Sequence, residues 1–154
     1  MKIINFKAMN NIEKSIDIAL RAHAGQVDKS GAPYILHPLR LMLRMKSESE
    51  MMAAVLHDVL EDNPAWTDER FRAEGIPEDV IEIVGFLTKT AEEKKNNYDL
   101  FIRRVAQHPA ATRVKLADLE DNMNLDRISQ PKAEDFERAE KYRKAHEFLT
   151  AYVR

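Results

Sequence analysis

The sequence predicts an all-helical fold, on three observations. Only four Gly and six Pro punctuate 154 residues. Runs of β-branched residues are scarce. In most segments apolar positions recur every three or four residues, which marks one buried helical face. Taken in order, Asn11–Ala24 places Ile12, Ile16, Ala19, Leu20 and His23 on one face. Gly25–Tyr34 has turn chemistry without periodicity and reads as a loop. Pro38 opens a short helix, Leu39–Met45, because a proline at the first helical position loses no needed hydrogen bond. Ser47 and Glu50 have capping-box spacing and start a helix over Glu48–Leu60. Its segment Met51–Leu56 is apolar on every side, so it belongs at the centre of the domain. Thr67 caps a short helix stopped at Gly75. Pro77–Thr88 follows, with Val80, Ile83, Val84 and Leu87 on one face. Ala91–Asn97, charged and polar, reads as an exposed loop. Asn97–Gln107 and Pro109–Asp126 are the next helices. The last, Ala133–Val153, carries a stripe of Ala139, Tyr142, Ala145, Leu149 and Tyr152. The expectation is seven or eight helices in one domain over residues 1–154, with no internal repeat, low-complexity tract or linker.

Composition excludes several classes. With 44% hydrophobic residues, a core can form without staples. Lys plus Arg is 24 and Asp plus Glu is 26, a net charge of −2, which argues against a non-specific nucleic-acid binder. Cysteine is absent, which removes disulfides, thiolate nucleophiles and Cys-ligated zinc. Met51–Leu56 is far too short to span a bilayer, and Met1–Lys7 has no leader-type apolar region. The expectation is a cytoplasmic protein that binds neither membrane nor nucleic acid.

The chemistry concentrates where Met51–Leu56 runs into His57 and Asp58, then Glu61 and Asp62. Four residues apart on one helix, His57 stacks with Glu61 and Asp58 with Asp62. An imidazole nitrogen beside a carboxylate oxygen suits a divalent cation of borderline hardness, such as Mn, Fe, Co or Zn. The second acidic pair lies one turn on, where it can handle protons or water. The bland alternative is a polar helix end with solvated acids. Two further segments weigh against that. His37 precedes Pro38 just after the loop, and Asp118 follows the apolar turn Val114–Ala117. Alone, each is an ordinary helix-end or surface residue. Together His37, His57, Asp58 and Asp118 supply two nitrogen and two oxygen donors. Asn122, four residues after Asp118, faces the same way. His23 lies on an apolar stripe and reads as a core or supporting histidine, not a ligand. Trp66 reads as a packing anchor and the seven Met residues as core filler.

Three stretches carry a resemblance: AHAGQVDKSGAPYILHP (Ala22–Pro38), AAVLHDVLEDN (Ala53–Asn63) and VKLADLEDNM (Val114–Met123), with Leu87, Thr88 and Lys89 between the last two. In this order they resemble the HD-domain phosphohydrolases, and among them the hydrolase domain of the RelA/SpoT alarmone enzymes and the small stand-alone alarmone hydrolases. The resemblance implies an all-α HD helical bundle with one Mn²⁺ held by His37, His57, Asp58 and Asp118. It implies hydrolysis of the 3′-pyrophosphate of guanosine tetra- or pentaphosphate to GDP or GTP and pyrophosphate. It implies that Glu61 and Asp62 are catalytic, and that Lys29, Ser30 and Asn122 contact the nucleotide. Such a metal lowers the pKa of a bound water and neutralises a phosphate oxygen. Glu61 and Asp62 would orient that water or move its proton, and Lys29 would offer a point charge to a phosphate.

The chain departs from the family pattern at two places. Asp28 stands where the family usually has a basic residue before Lys-Ser-Gly, which removes a cation–π partner for the base. After the metal aspartate the family typically reads Arg-Leu-His-Asn-Met-Arg-Thr. Here the run is Leu119, Glu120, Asp121, Asn122, Met123, Asn124 and Leu125, so Leu125 replaces a hydroxyl residue. The metal and proton-transfer residues are intact, while parts of the expected base and ribose-phosphate shell are not. The rivals are an HD phosphohydrolase for another nucleotide or phosphorylated metabolite, such as NADPH, and a non-catalytic nucleotide sensor. The synthetase domain of long family members has no room in 154 residues.

Overall fold

The computed structural model describes residues 8–153. Met1–Lys7, the segment read above for a leader, lies outside them. Among the described residues the chain is helical throughout, with one isolated bridge, Val27 to Pro33, pinning the first loop. The helices are α1 (Asn11–Ala22), α2 (Leu36–Arg44), α3 (Glu48–Leu56), α4 (Val59–Asp62), α5 (Asp68–Ala73), α6 (Glu78–Leu87), α7 (Ala91–Asn96), α8 (Tyr98–Val105), α9 (Pro109–Met123) and α10 (Ala133–Thr150). A 3₁₀ turn, Leu125–Arg127, joins the last two. No helix among the described residues is long and apolar enough to cross a membrane.

α3 is the hub, as its uniform apolarity predicts. Met52 through Leu56 are buried, and α1, α2, α6 and α9 all pack on it. Burying side chains such as Val55 and Leu56 on all sides gives about 1.5–3 kcal/mol each. The α6 face is buried as expected at Val80, Ile83, Val84 and Leu87. Trp66 is buried against Phe71, with the Arg70 guanidinium 3.7 Å above its ring. Thr67 caps α5, and Gly75, at φ +87°, takes the left-handed conformation that ends it.

Several elements differ from the sequence reading, and the largest differences have local reasons. α2 begins at Leu36, so Pro38 sits third in the helix and His37 lies inside its first turn. The first turn tolerates proline because its N–H groups have no partners within the helix. The expected helix Glu48–Leu60 breaks at His57 and Asp58 into α3 and α4. The His57 ring nitrogen Nδ1 bonds the Ala54 carbonyl at 2.7 Å, the carbonyl an unbroken helix would offer to the Asp58 N–H. Ser47 caps α3, but Glu50 turns to Arg113 instead of completing the capping box. Ala91–Asn96 is a helix, not a loop. Thr90 and Glu93 form a reciprocal capping box, and Arg104 clasps the buried Glu93 through two 2.8 Å bonds. Finally, the α10 stripe is buried at Ala145 and Leu149 but ends before Tyr152, which is exposed.

Candidate metal centre and its cleft

The break after α3 turns His57 inward. Its Nδ1–H is spent on the Ala54 carbonyl, which leaves Nε2 to face the interior. His37, in the first turn of α2, and Asp118, on the inner face of α9, meet it there. The His37 and His57 rings lie 5.2 Å apart, and Asp118 Oδ1 is 3.0 Å from His37 Nε2 and 3.4 Å from His57 Nε2. One ligand atom from each of these three buried residues lies within 4.8 Å of the other two. Asp58 stands at the edge of this group, with Oδ2 3.0 Å from His57 Nε2. His57 Nε2 is buried without a hydrogen-bond partner of acceptable geometry. An orphaned imidazole lone pair among carboxylates fits a divalent cation, and the mixed nitrogen and oxygen donor set suits one of borderline hardness.

Polar neighbours hold these acids in place. The Tyr34 hydroxyl donates to Asp58 Oδ2. Lys115 Nζ lies 2.6 Å from Asp118 Oδ2, and Asn122 Nδ2 donates to Asp118 Oδ1 at 2.8 Å. Asp121, three residues after Asp118 on α9, takes the other ring nitrogen of His37, Nδ1, at 2.6 Å. Burial opposes charge at these aspartates and histidines, yet the pairing outweighs it. Asp118 is held well below the usual carboxylate range by Lys115 and the two histidines, and Asp58 is lowered by His57. His37 and His57 are raised above the ordinary histidine value, His37 by hydrogen bonds to Asp118 and Asp121, His57 chiefly by the Asp58 charge.

Glu61 and Asp62 lie beyond the break. The Asp58–Asp62 relation survives, since the Asp62 N–H donates to the Asp58 carbonyl at 2.9 Å. His57 and Glu61 do not stack: His57 points inward, while Glu61 Oε1 accepts the Lys89 N–H at 2.5 Å. Asp62 Oδ2 accepts from Gln26 Nε2 at 3.2 Å, and Gln26 Oε1 accepts from His23 Nδ1 at 2.9 Å. His23 thus stays outside the ligand group and is tied to Asp62 through one side chain.

A cleft of about 280 Å³ opens beside the cluster. Its walls bring together Lys29 and Ser30 from the first loop, Tyr34, Asn122 from α9, Leu125 and Arg127 from the 3₁₀ turn, and Arg138 and Tyr142 from α10. A larger cavity, about 520 Å³ between α8 and α10, is lined by none of the candidate catalytic, substrate-binding or metal residues. Asp28 does not present a free charge. Its Oδ1 accepts the Ser30 N–H at 2.8 Å, the Ser30 hydroxyl at 2.6 Å and the Ala32 N–H at 3.0 Å, which folds the loop. Ser30 is therefore engaged with the loop, whereas the Lys29 ammonium is exposed, 3.9 Å from Asp135. Sequence reasoning missed Arg127, Arg138 and Tyr142 because they lie outside the three matching stretches. Tyr34 and Lys115 lie within those stretches, but neither spacing nor composition marks them.

A helical bundle whose central helix delivers a His-Asp pair to a second histidine and a distant aspartate defines an HD-type fold. No protein-family model matches the chain. It is 32% identical over 121 residues to the guanosine-3′,5′-bis(diphosphate) 3′-pyrophosphohydrolase of Aquifex aeolicus, which covers 73% of this chain and 17% of that protein. It is 35% identical over 118 residues to the bifunctional (p)ppGpp synthase/hydrolase SpoT of Escherichia coli K12, covering 69% and 16%. A solved structure of a metazoan ortholog of SpoT, described as hydrolyzing ppGpp and playing a role in starvation responses, superposes with a TM-score of 0.77. That match has 26% identity and covers 95% of this chain and 86% of the other. The chain belongs to the HD-type RelA/SpoT hydrolase-domain family, and it spans less than a fifth of the length of these curated relatives.

Proposed function

We propose that this protein is a metal-dependent phosphohydrolase that removes the 3′-pyrophosphate of guanosine tetra- or pentaphosphate, giving GDP or GTP and pyrophosphate. The observation that carries it is the buried His37, His57 and Asp118 group opening through Asn122 onto a cleft walled by Lys29, Arg127 and Arg138. The relatives named as 3′-pyrophosphohydrolases support the same reading. His37, His57, Asp58 and Asp118 would hold one divalent ion, with Mn²⁺ proposed. When bound, the ion supplies an acidified water and a positive charge against a phosphate oxygen. Glu61 or Asp62 accepts the proton of the attacking water, which adds to phosphorus as the bond to the 3′ oxygen breaks, and returns that proton to the 3′ oxygen, which leaves as a hydroxyl. Lys29, Arg127 and Arg138 balance the phosphate charge, Asn122 orients a phosphate or ribose oxygen, and Ser30 shapes the loop that carries Lys29. The helical bundle works as one HD domain on a cytoplasmic nucleotide.

Leu125 on the cleft wall favours a second reading, in which the same machinery acts on another nucleotide or phosphorylated metabolite. The purified protein with Mn²⁺ should be assayed on guanosine and adenosine 3′-pyrophosphates, nucleoside triphosphates and NADPH. Preferred release of pyrophosphate from guanosine tetraphosphate is expected. Turnover of NADPH or a triphosphate alone would replace guanosine tetraphosphate as substrate, and turnover of none would overturn the enzyme reading.

A further inference from the structure

The buried Asp121 is not among the residues that the family resemblance marks, and it replaces the histidine of the family's typical run. It lies on α9, one turn from Asp118, and joins three elements. Oδ2 meets His37 Nδ1 at 2.6 Å, and Arg40 of α2 donates to both carboxylate oxygens at 2.8 and 2.9 Å. Arg127 donates to Oδ1 at 3.0 Å and to the Asp121 carbonyl at 2.8 Å. Its carboxylate is therefore fully used, and its charge is matched by two guanidinium groups.

We propose that Asp121 is a positioning residue that sets both the metal-binding ring of His37 and the cleft cation Arg127. The inference rests on the metal site proposed above. A carboxylate on Nδ1 keeps that nitrogen an N–H donor, so Nε2, 3.0 Å from Asp118 Oδ1, is the nitrogen that would give its lone pair to a metal once its own proton is displaced. Such outer partners of a metal-binding histidine contribute about 10–100-fold in metal affinity. The same carboxylate holds the Arg127 guanidinium at the cleft wall, so one acid sets two parts of the site that belong to separate segments of the chain.

The test is calorimetric titration of metal-stripped protein with Mn²⁺ for wild type, Asp121→Asn and Asp121→Ala, with folding checked by circular dichroism. Both variants are expected to bind Mn²⁺ about 10–100-fold more weakly. In Zn²⁺-loaded protein the His37 Nδ1–H proton should be observable by NMR in wild type and lost to solvent exchange in Asp121→Ala, which a merely structural role would not require. Arg127→Ala should raise the Michaelis constant for guanosine tetraphosphate more than it lowers kcat. Wild-type Mn²⁺ affinity in both Asp121 variants would overturn the proposal, while metal binding without hydrolysis would overturn only the substrate reading. A wild type that binds no metal would overturn the metal site and this inference together.

Discussion

Glu61→Gln separates chemistry from architecture at this site. The Glu61 carboxylate touches the protein in two ways: Oε1 accepts the Lys89 N–H at 2.5 Å, and Oε2 lies 3.9 Å from Lys89 Nζ. Glutamine keeps an oxygen for the first contact and loses only the second. Lys89 is about a third exposed, and a pair of that kind contributes about 0–1 kcal/mol. The hydrogen bond also passes from a charged to a neutral acceptor, which weakens it by about 1 kcal/mol. Stability should therefore fall by no more than about 2 kcal/mol, a drop of about 4–8 °C in Tm for a domain of this size. A positioned base contributes about 10²–10⁴-fold to rate, or about 2.7–5.5 kcal/mol of barrier. The assay pairs thermal unfolding with steady-state hydrolysis of guanosine tetraphosphate at saturating Mn²⁺. Wild-type turnover in metal-loaded Glu61→Gln would refute the argument and leave Glu61 as an anchor for the segment between α6 and α7.

Three further expectations follow from the same geometry. His57→Ala and Asp58→Ala should leave the protein with less bound divalent metal than wild type after purification without chelator, and equal content would sink the ligand assignment. Metal-free stability should peak at intermediate pH. The contribution of His37 and His57, whose native values are raised above 6.5, is complete below that value and is lost as pH rises through their native values. The contribution of Asp58 and Asp118, lowered from 3.8, is present above that value and is lost as pH falls through their native values. Thermal midpoints of chelated protein across pH would show this, and a profile rising steadily into alkali would contradict it. Asp28→Arg should raise the Michaelis constant for guanosine tetraphosphate, because three hydrogen bonds that fold the Lys29 loop are lost. A lowered constant would mean that the carboxylate acts by repelling the nucleotide.

The parts of the molecule legible in the sequence were those set by local pattern. The uniform apolarity of Met51–Leu56 identified the central helix, and the spacing of Val80, Ile83, Val84 and Leu87 identified the buried face of α6. The gathering of His37, His57 and Asp118 came from three short segments in a known order, not from spacing. What stayed hidden depends on contacts between distant segments. The break at His57 follows from one ring nitrogen taking a main-chain carbonyl. α7 has no apolar stripe, although its Thr90 and Glu93 cap was readable, and it is held by Arg104 from the next helix. Arg127, Arg138 and Tyr142 reach the cleft only because the 3₁₀ turn and α10 fold back over α9. The role of Asp28 was hidden in the same way, since its charge is visible in the sequence and its three hydrogen bonds are not.

The proposed hydrolysis depends on a metal held by the four His and Asp donors. The most direct measurement titrates chelator-stripped protein with Mn²⁺ while following pyrophosphate release from guanosine tetraphosphate. No turnover is expected in the stripped protein, with activity rising as metal is added and levelling off at one equivalent per chain. Equal turnover with and without metal, or activity restored equally in His57→Ala, would contradict it.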